Sequence, residues 1–249
     1  EGQVLSVTMD LSSLRSIHDA ANQLTDVKLD GLVLCAGVAA APLQLSTDGI
    51  ESMFAINHVG HFHLSQLLVD RLKPRGRVVV VTSSAHSNVK EVPTDLRVIN
   101  HRKTFRPRQG YARSKLANIF MAQELAARLQ PKQIAVNAVH PGAVRTDIVR
   151  HVAKPFFPGE LGEWHAKTIQ RLAGSLMWSP EIAALSIVYA AASPLVDSLN
   201  QTGRYFIPVA RLGSPAAVTR NLTMQKEVWD FTQQLIDFKL QETQGWRYA

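Results

Sequence analysis

The stretch Gly76-Arg77-Val78-Val79-Val80-Val81-Thr82-Ser83-Ser84 decides the fold. An unbroken β-branched run favours extended backbone and offers no polar face to water, so it reads as a strand covered on both sides. Strands of that kind lie at the centre of parallel sheets. In open parallel sheets ligands sit beyond the carboxyl ends of the strands, which puts Thr82, Ser83 and Ser84 where chemistry takes place.

Outward from this strand, short apolar runs alternate with helical patterns. Leu32–Leu34 reads as a strand, and Ile134–Val139 as a second buried strand that leaves the sheet through Pro141-Gly142. Gly142 there allows a ligand close to the backbone. Asp48 to Leu72 has helical spacing, with Asp48 as N-cap and Glu51 three residues on. Its apolar stripe (Met53, Phe54, Gly60, Leu64, Leu67, Leu68) contains Asn57, and a buried amide without partners costs about 1–3 kcal/mol. Helices are expected at Tyr111–Leu129 and Pro180–Ala192, the latter with Pro180 in its first turn and leading to a strand at Arg204–Ile207. The alternation predicts an α/β fold, a doubly wound parallel sheet with helices on both faces.

Tyr111 and Lys115 open the long helix four residues apart, so both fall on one face. A nearby ammonium favours the phenolate and suits a tyrosine to proton transfer. The pair alone is weak evidence, because Tyr-x-x-x-Lys is common on exposed helices. Taken with Asn57 and Ser84, it resembles the Asn, Ser, Tyr, Lys tetrad of the short-chain dehydrogenase/reductase family, and the resemblance runs from about Met9 to Trp229.

That resemblance implies a Rossmann-like sheet, a nicotinamide cofactor and interconversion of an alcohol and a carbonyl. Tyr111 would be the general acid/base and Ser84 would polarise the substrate oxygen. Lys115 would hold the nicotinamide ribose and lower the Tyr111 pKa, and Asn57 would anchor a water that relays protons. Cofactor contacts carry over to Asp10, Leu11, Cys35, Ala36, Gly37, Thr82, Ser83, Tyr111, Lys115, Pro141, Gly142, Val144 and Thr146. From spacing alone, Asp10 reads equally well as a turn or cap before a helix starting near Ser13, Ser83 competes with Ser84, and Asn57 reads as a satisfied core amide. Gly60-His61-Phe62, the long Ser84-to-Tyr111 insertion and the amphipathic segment Glu227–Leu240 are similar to the retinol-dehydrogenase and WW-domain-oxidoreductase branch. The branch implies a lipophilic substrate, NADP in preference to NAD, and a cytoplasmic site or the cytoplasmic face of an intracellular membrane. It also implies subunit contacts through the Asn57 and Tyr111 helices, hence a homodimer.

Two departures stand against this. Cys35 occupies the place of the family's Asn. No glycine-rich strand-turn-helix precedes Asp10, so the chain reads as a single Rossmann-like domain that begins inside the third strand, at Gln3–Met9, and is truncated at its N-terminus. Without the family's first two strands, the Leu32–Leu34 edge would be exposed and cofactor binding impaired. A catalytically impaired dehydrogenase relic with a binding or regulatory role is the alternative. A segment before Glu1 could supply a membrane anchor.

The remaining features bound the answer. At 249 residues the chain can bury a substantial core, and its single cysteine excludes an internal disulfide. The net charge of +7 is partly concentrated in Arg97, Arg102, Lys103, Arg106, Arg108 and Arg113. Few aromatic residues accompany them, so a solvated loop is expected rather than a nucleic-acid surface. His58, His61 and His63 lack accompanying carboxylates or thiolates, and no metal is expected. Residues 150–179, with Phe156, Phe157, Trp164 and Trp178, read equally well as a lid over an apolar substrate and as a packed pair of small helices.

Overall fold

The computed structural model describes residues 3–39, 41–144 and 177–245. Its five-stranded sheet follows chain order, β1 (Leu29–Leu34), β2 (Leu72–Val81), β3 (Ala135–Val139), β4 (Tyr205–Ile207) and β5 (Arg211–Leu212). β1 to β4 are parallel, and β5 folds back antiparallel to β4. The described helices are α1 (Leu14–Asn22), α2 (Ser52–Phe54), α3 (Gly60–Leu68), α4 (Leu96–Ile99), α5 (Pro107–Leu129), α6 (Pro180–Ala192), α7 (Leu195–Ser198) and α8 (Leu222–Gly245). The result is the expected Rossmann-like arrangement.

The valine run lies at the middle of the layers, as its composition requires. Val78 and Val80 join Phe62, Leu116 and Phe120 in the larger core, whereas Val79 joins Val139, Ala190 and Phe206 on the opposite face. Successive side chains of a strand point to opposite faces, and here both faces carry helices. Each valine buried in this way contributes about 1.5–3 kcal/mol. α5 is buried on nearly every side, because β3, α2 and α8 all pack against it.

Several boundaries differ from expectation. Gln3–Met9 forms no strand; it pairs with nothing in the sheet, and Val4 is 92% exposed. An extended segment becomes a strand only against another edge. β1 is the outer strand among the described residues, with Val33 43% exposed and Leu34 buried. α5 starts at Pro107, which needs no hydrogen-bond partner at the first helical position.

Asp48 does not cap the helix that carries Asn57. Ser46 to Ile50 closes a tight turn with Gly49 at φ +72°, so the helix starts later and the Glu51 carboxylate accepts the Met53 and Phe54 amides at 2.9 Å. Asp48 instead accepts the Leu14 amide at 2.8 Å and so caps the start of α1. Between α2 and α3 the helix widens into a π-helical turn, Ala55–Val59, which contains Asn57. Such turns occur often at functional sites.

Candidate active site

α5 brings Tyr111, Ser114, Lys115 and Asn118 to one face, at helical spacings of three, four and seven residues, against the carboxyl end of β2. The Val81 carbonyl accepts hydrogen bonds from Lys115 Nζ at 3.1 Å and from Asn118 Nδ2 at 3.3 Å. Thr82 Oγ1 donates to the Lys115 carbonyl at 2.7 Å, so strand end and helix are tied in both directions. Thr82 is therefore buried and its hydroxyl committed to α5. Lys115 is only 4% exposed, and burial lowers its pKa to about 8.

Tyr111 departs from the expectation that Lys115 favours its phenolate. Burial raises the phenol pKa, and a hydrogen bond with the Ser83 side chain partly offsets the rise. The ammonium is held by Val81 and approaches the ring, 5.8 Å from its centroid.

The two neighbouring serines differ. Ser83 caps the 3-10 turn Ser84–Asn88, accepting the Ala85 amide at 3.2 Å, and its side chain is the one that acts to lower the Tyr111 pKa. Ser84 is exposed, and its hydroxyl has no hydrogen bond among the described residues.

Asn57 is fully buried and fully engaged. Its Oδ1 accepts the Val38 amide at 2.8 Å, and its Nδ2 donates to the Val38 carbonyl at 2.9 Å and to Ser114 Oγ at 3.0 Å. The side chain thus holds the loop after β1 against α5, as a satisfied core amide. Gly37 is needed in that loop: a Cβ there would lie 2.9 Å from Asn57 Oδ1 and 3.5 Å from Lys115 Nζ. Cys35 and Ala36, just before it, are exposed at the carboxyl end of β1.

The remaining expected contacts fall on both sides of this centre. The Asp10 carboxylate accepts the Ser12 amide and hydroxyl, each at 2.8 Å, which is the turn reading; Leu11 follows, half-buried. Pro141 and Val144 are half-buried beyond β3. Gly142 has φ +95°, and the group that approaches it closely is the Trp178 indole, whose Cδ1 would be 2.5 Å from a Cβ at that position. Thr146 and the expected lid, apart from 177–179, lie outside the described residues.

Sequence reasoning missed Ser114, Asn118 and His86. The first two could have been found as polar positions continuing the Tyr111–Lys115 face. His86 carried no such signal. Its Nδ1 meets the Ser83 carbonyl at 2.6 Å and its Nε2 accepts the Ala216 amide at 3.0 Å, so it braces the serine turn against a distant loop. His58 is likewise a structural link, joining Asn118 at 3.2 Å to Thr232 of α8 at 3.0 Å.

Sheet order and site together define an α/β protein of the Rossmann-like class, with its reactive groups at the strand carboxyl ends. Comparison with known proteins gives the particular family. The family described as Enoyl-(Acyl carrier protein) reductase matches residues 1–189. The chain is 33% identical to the short-chain dehydrogenase TIC 32 B, chloroplastic, of Brassica napus, over 92% of this chain and 71% of that protein. It is 34% identical to human retinol dehydrogenase 14, over 82% of this chain and 59% of the relative. Among solved structures, a short-chain dehydrogenase/reductase from Serratia marcescens is 26% identical with a TM-score of 0.56, over 83% of this chain and 75% of that one. An uncharacterized protein from Mycobacterium paratuberculosis reaches a TM-score of 0.67 at 25% identity, over 92% of this chain and 74% of that one. The chain belongs to the short-chain dehydrogenase/reductase family, whose members are NAD(P)-using oxidoreductases.

Proposed function

We propose that this chain interconverts an alcohol and a carbonyl on a lipophilic small molecule, with NADP as the preferred nicotinamide cofactor. The observation that carries this reading is the convergence of Tyr111, Ser83, Ser84 and Lys115 at the end of β2. The name of retinol dehydrogenase 14 supports a substrate of the retinoid kind.

The residues present fit a nicotinamide nucleotide at the strand ends. Lys115 Nζ has three N–H donors and one acceptor, Val81, which leaves donors for ribose hydroxyls. Cys35 and Ala36 are exposed after β1, and Gly37, Pro141, Gly142 and Val144 are half-buried beside them and after β3. Asp10 and Leu11 would lie on the adenine side. When bound, the nucleotide supplies or accepts the hydride.

The protein's own residues manage the proton and the developing charge. Burial raises the Tyr111 pKa, so the phenol carries its proton at neutral pH and holds it for a carbonyl oxygen that gains charge as the hydride arrives. The free Ser84 hydroxyl is the one able to bond that oxygen, while the Ser83 hydroxyl orients the phenol. Asn57 acts at one remove, by holding the loop after β1 against Ser114 and so fixing the α5 face.

Reduction of retinaldehyde with NADPH by the whole chain tests the reading. Tyr111→Phe is expected to lower turnover by about 100-fold or more while the circular dichroism spectrum stays unchanged. Equal rates for the two proteins would remove Tyr111 from the chemistry.

A further inference from the structure

A second concavity lies along α5. It has a volume of about 270 Å³ and is bounded by α5, the approach to β4, the segment after β5 and the 3-10 turn Ala217–Arg220. Gln123 of α5, which lines it, is 12 residues beyond Tyr111, about 18 Å along the helix at about 1.5 Å per residue. The cavity is therefore separate from the candidate active site.

Its lining is cationic and unsatisfied. Arg204 and Arg220 both line it, no Asp or Glu does, and neither guanidinium has an ion pair or hydrogen bond among the described residues. Two guanidinium groups at one concavity, without an acid to balance them, create a positive field that a bound anion would neutralise. Gln123 has no hydrogen bond at either end of its amide, and its Oε1 is buried without a partner. A buried acceptor left in that state is destabilising, and a donor on an occupant recovers the loss once the unheld amide turns toward it. Ile119, Ala122 and Pro215 form apolar wall for a carbon body, and Ser214 adds a hydroxyl.

We propose that this cavity binds a small organic oxyanion, a phosphate or carboxylate carried on a body that bears a hydroxyl. Arg204 and Arg220 take the anion, and Gln123 accepts from the hydroxyl. A concavity of about 270 Å³ admits a small organic anion of the kind of glycerol phosphate. Occupancy also reaches toward the catalytic serines, because His86 packs edge-on against the Tyr205 wall at 5.4 Å and holds both Ala216 and Ser83.

Calorimetric titration of the whole chain with glycerol phosphate, glycerate, propyl phosphate and inorganic phosphate tests the site. Saturable binding of glycerol phosphate is expected, and its strength relative to glycerate distinguishes phosphate from carboxylate as the natural anion. Arg204→Gln and Arg220→Gln should each weaken it about tenfold. Both side chains are exposed, so an unchanged melting temperature should confirm folding. Gln123→Leu should abolish the preference for glycerol phosphate over propyl phosphate. Tyr111→Phe should bind normally, which keeps this site independent of the oxidoreductase reading. Absence of saturation below about 10 mM, unchanged affinity in the double arginine variant, or competitive displacement by NADPH would each overturn the proposal.

Discussion

Ser83 and Ser84 stand side by side at the end of β2 in different bonding states, and this difference makes separate predictions. Ser84→Ala removes a free hydroxyl and is expected to lower kcat by about 100-fold with the pH dependence unmoved. Ser83→Ala removes the hydrogen bond that lowers the Tyr111 pKa, so the alkaline limb of the pH–rate profile should move to higher pH. Steady-state rates across pH for both variants check the pair; a shifted profile in Ser84→Ala would reverse the assignments. Much of this centre was legible from residue spacing. Tyr111 and Lys115 share a face because a helix turn is a local property. Their bonding partners were not legible, since the Val81 carbonyl that captures Lys115 arrives from another element. For the same reason the distance of the cation from the tyrosine ring, 5.8 Å to its centroid, was not legible.

At the scale of elements, the hairpin between β4 and β5 holds two non-glycine residues in the left-handed region, Val209 at φ +59° and Ala210 at φ +55°. For a β-branched residue this backbone is strained. The hairpin is held by buried Ser186 of α6, whose hydroxyl accepts the Ala210 amide at 2.9 Å and donates to the Ile207 carbonyl at 3.2 Å. Val209→Gly is expected to stabilise the fold by about 1 kcal/mol, read as a higher midpoint in urea unfolding. A lower midpoint would mean that the half-exposed valine side chain matters more than its backbone. Element identity was readable because apolar periodicity reports which face is covered. Ends were less readable: Asp48 and Glu51 both suit a helix start, and only the tight turn at Gly49 assigns Glu51 to α2 and Asp48 to α1.

At the scale of the molecule, three histidines buried on one helical segment couple stability to acid. Burial lowers the pKa of His58 to about 4, of His61 to about 3 and of His63 to about 4; the Lys115 charge adds to the effect at His61, and that of His18 at His63. These folded values lie below the unfolded value of 6.5, so near neutral pH the histidines cost nothing. As pH falls below 6.5 the unfolded chain takes up protons first, and stability declines until the folded values are reached. Each histidine contributes up to about 1.4 kcal/mol per pH unit in that window. Glu51 and Asp48, raised by burial, oppose the decline as they protonate in the folded state. Melting temperature should fall steeply between pH 6.5 and about 4, and His63→Leu should flatten the slope, because its buried Nε2 has no partner among the described residues to lose. A flat profile in the unmodified protein would show that these rings are hydrated. The sequence by itself determined the layered α/β order, the central valine strand and the Tyr111–Lys115 face, because these follow from local periodicity and from which residues water excludes. The tertiary structure alone decided that Asn57 clamps Val38, that Ser83 caps the turn after β2, and that Trp178 covers Gly142. Such contacts join residues far apart in the chain, and their partners are set by how the packed layers meet.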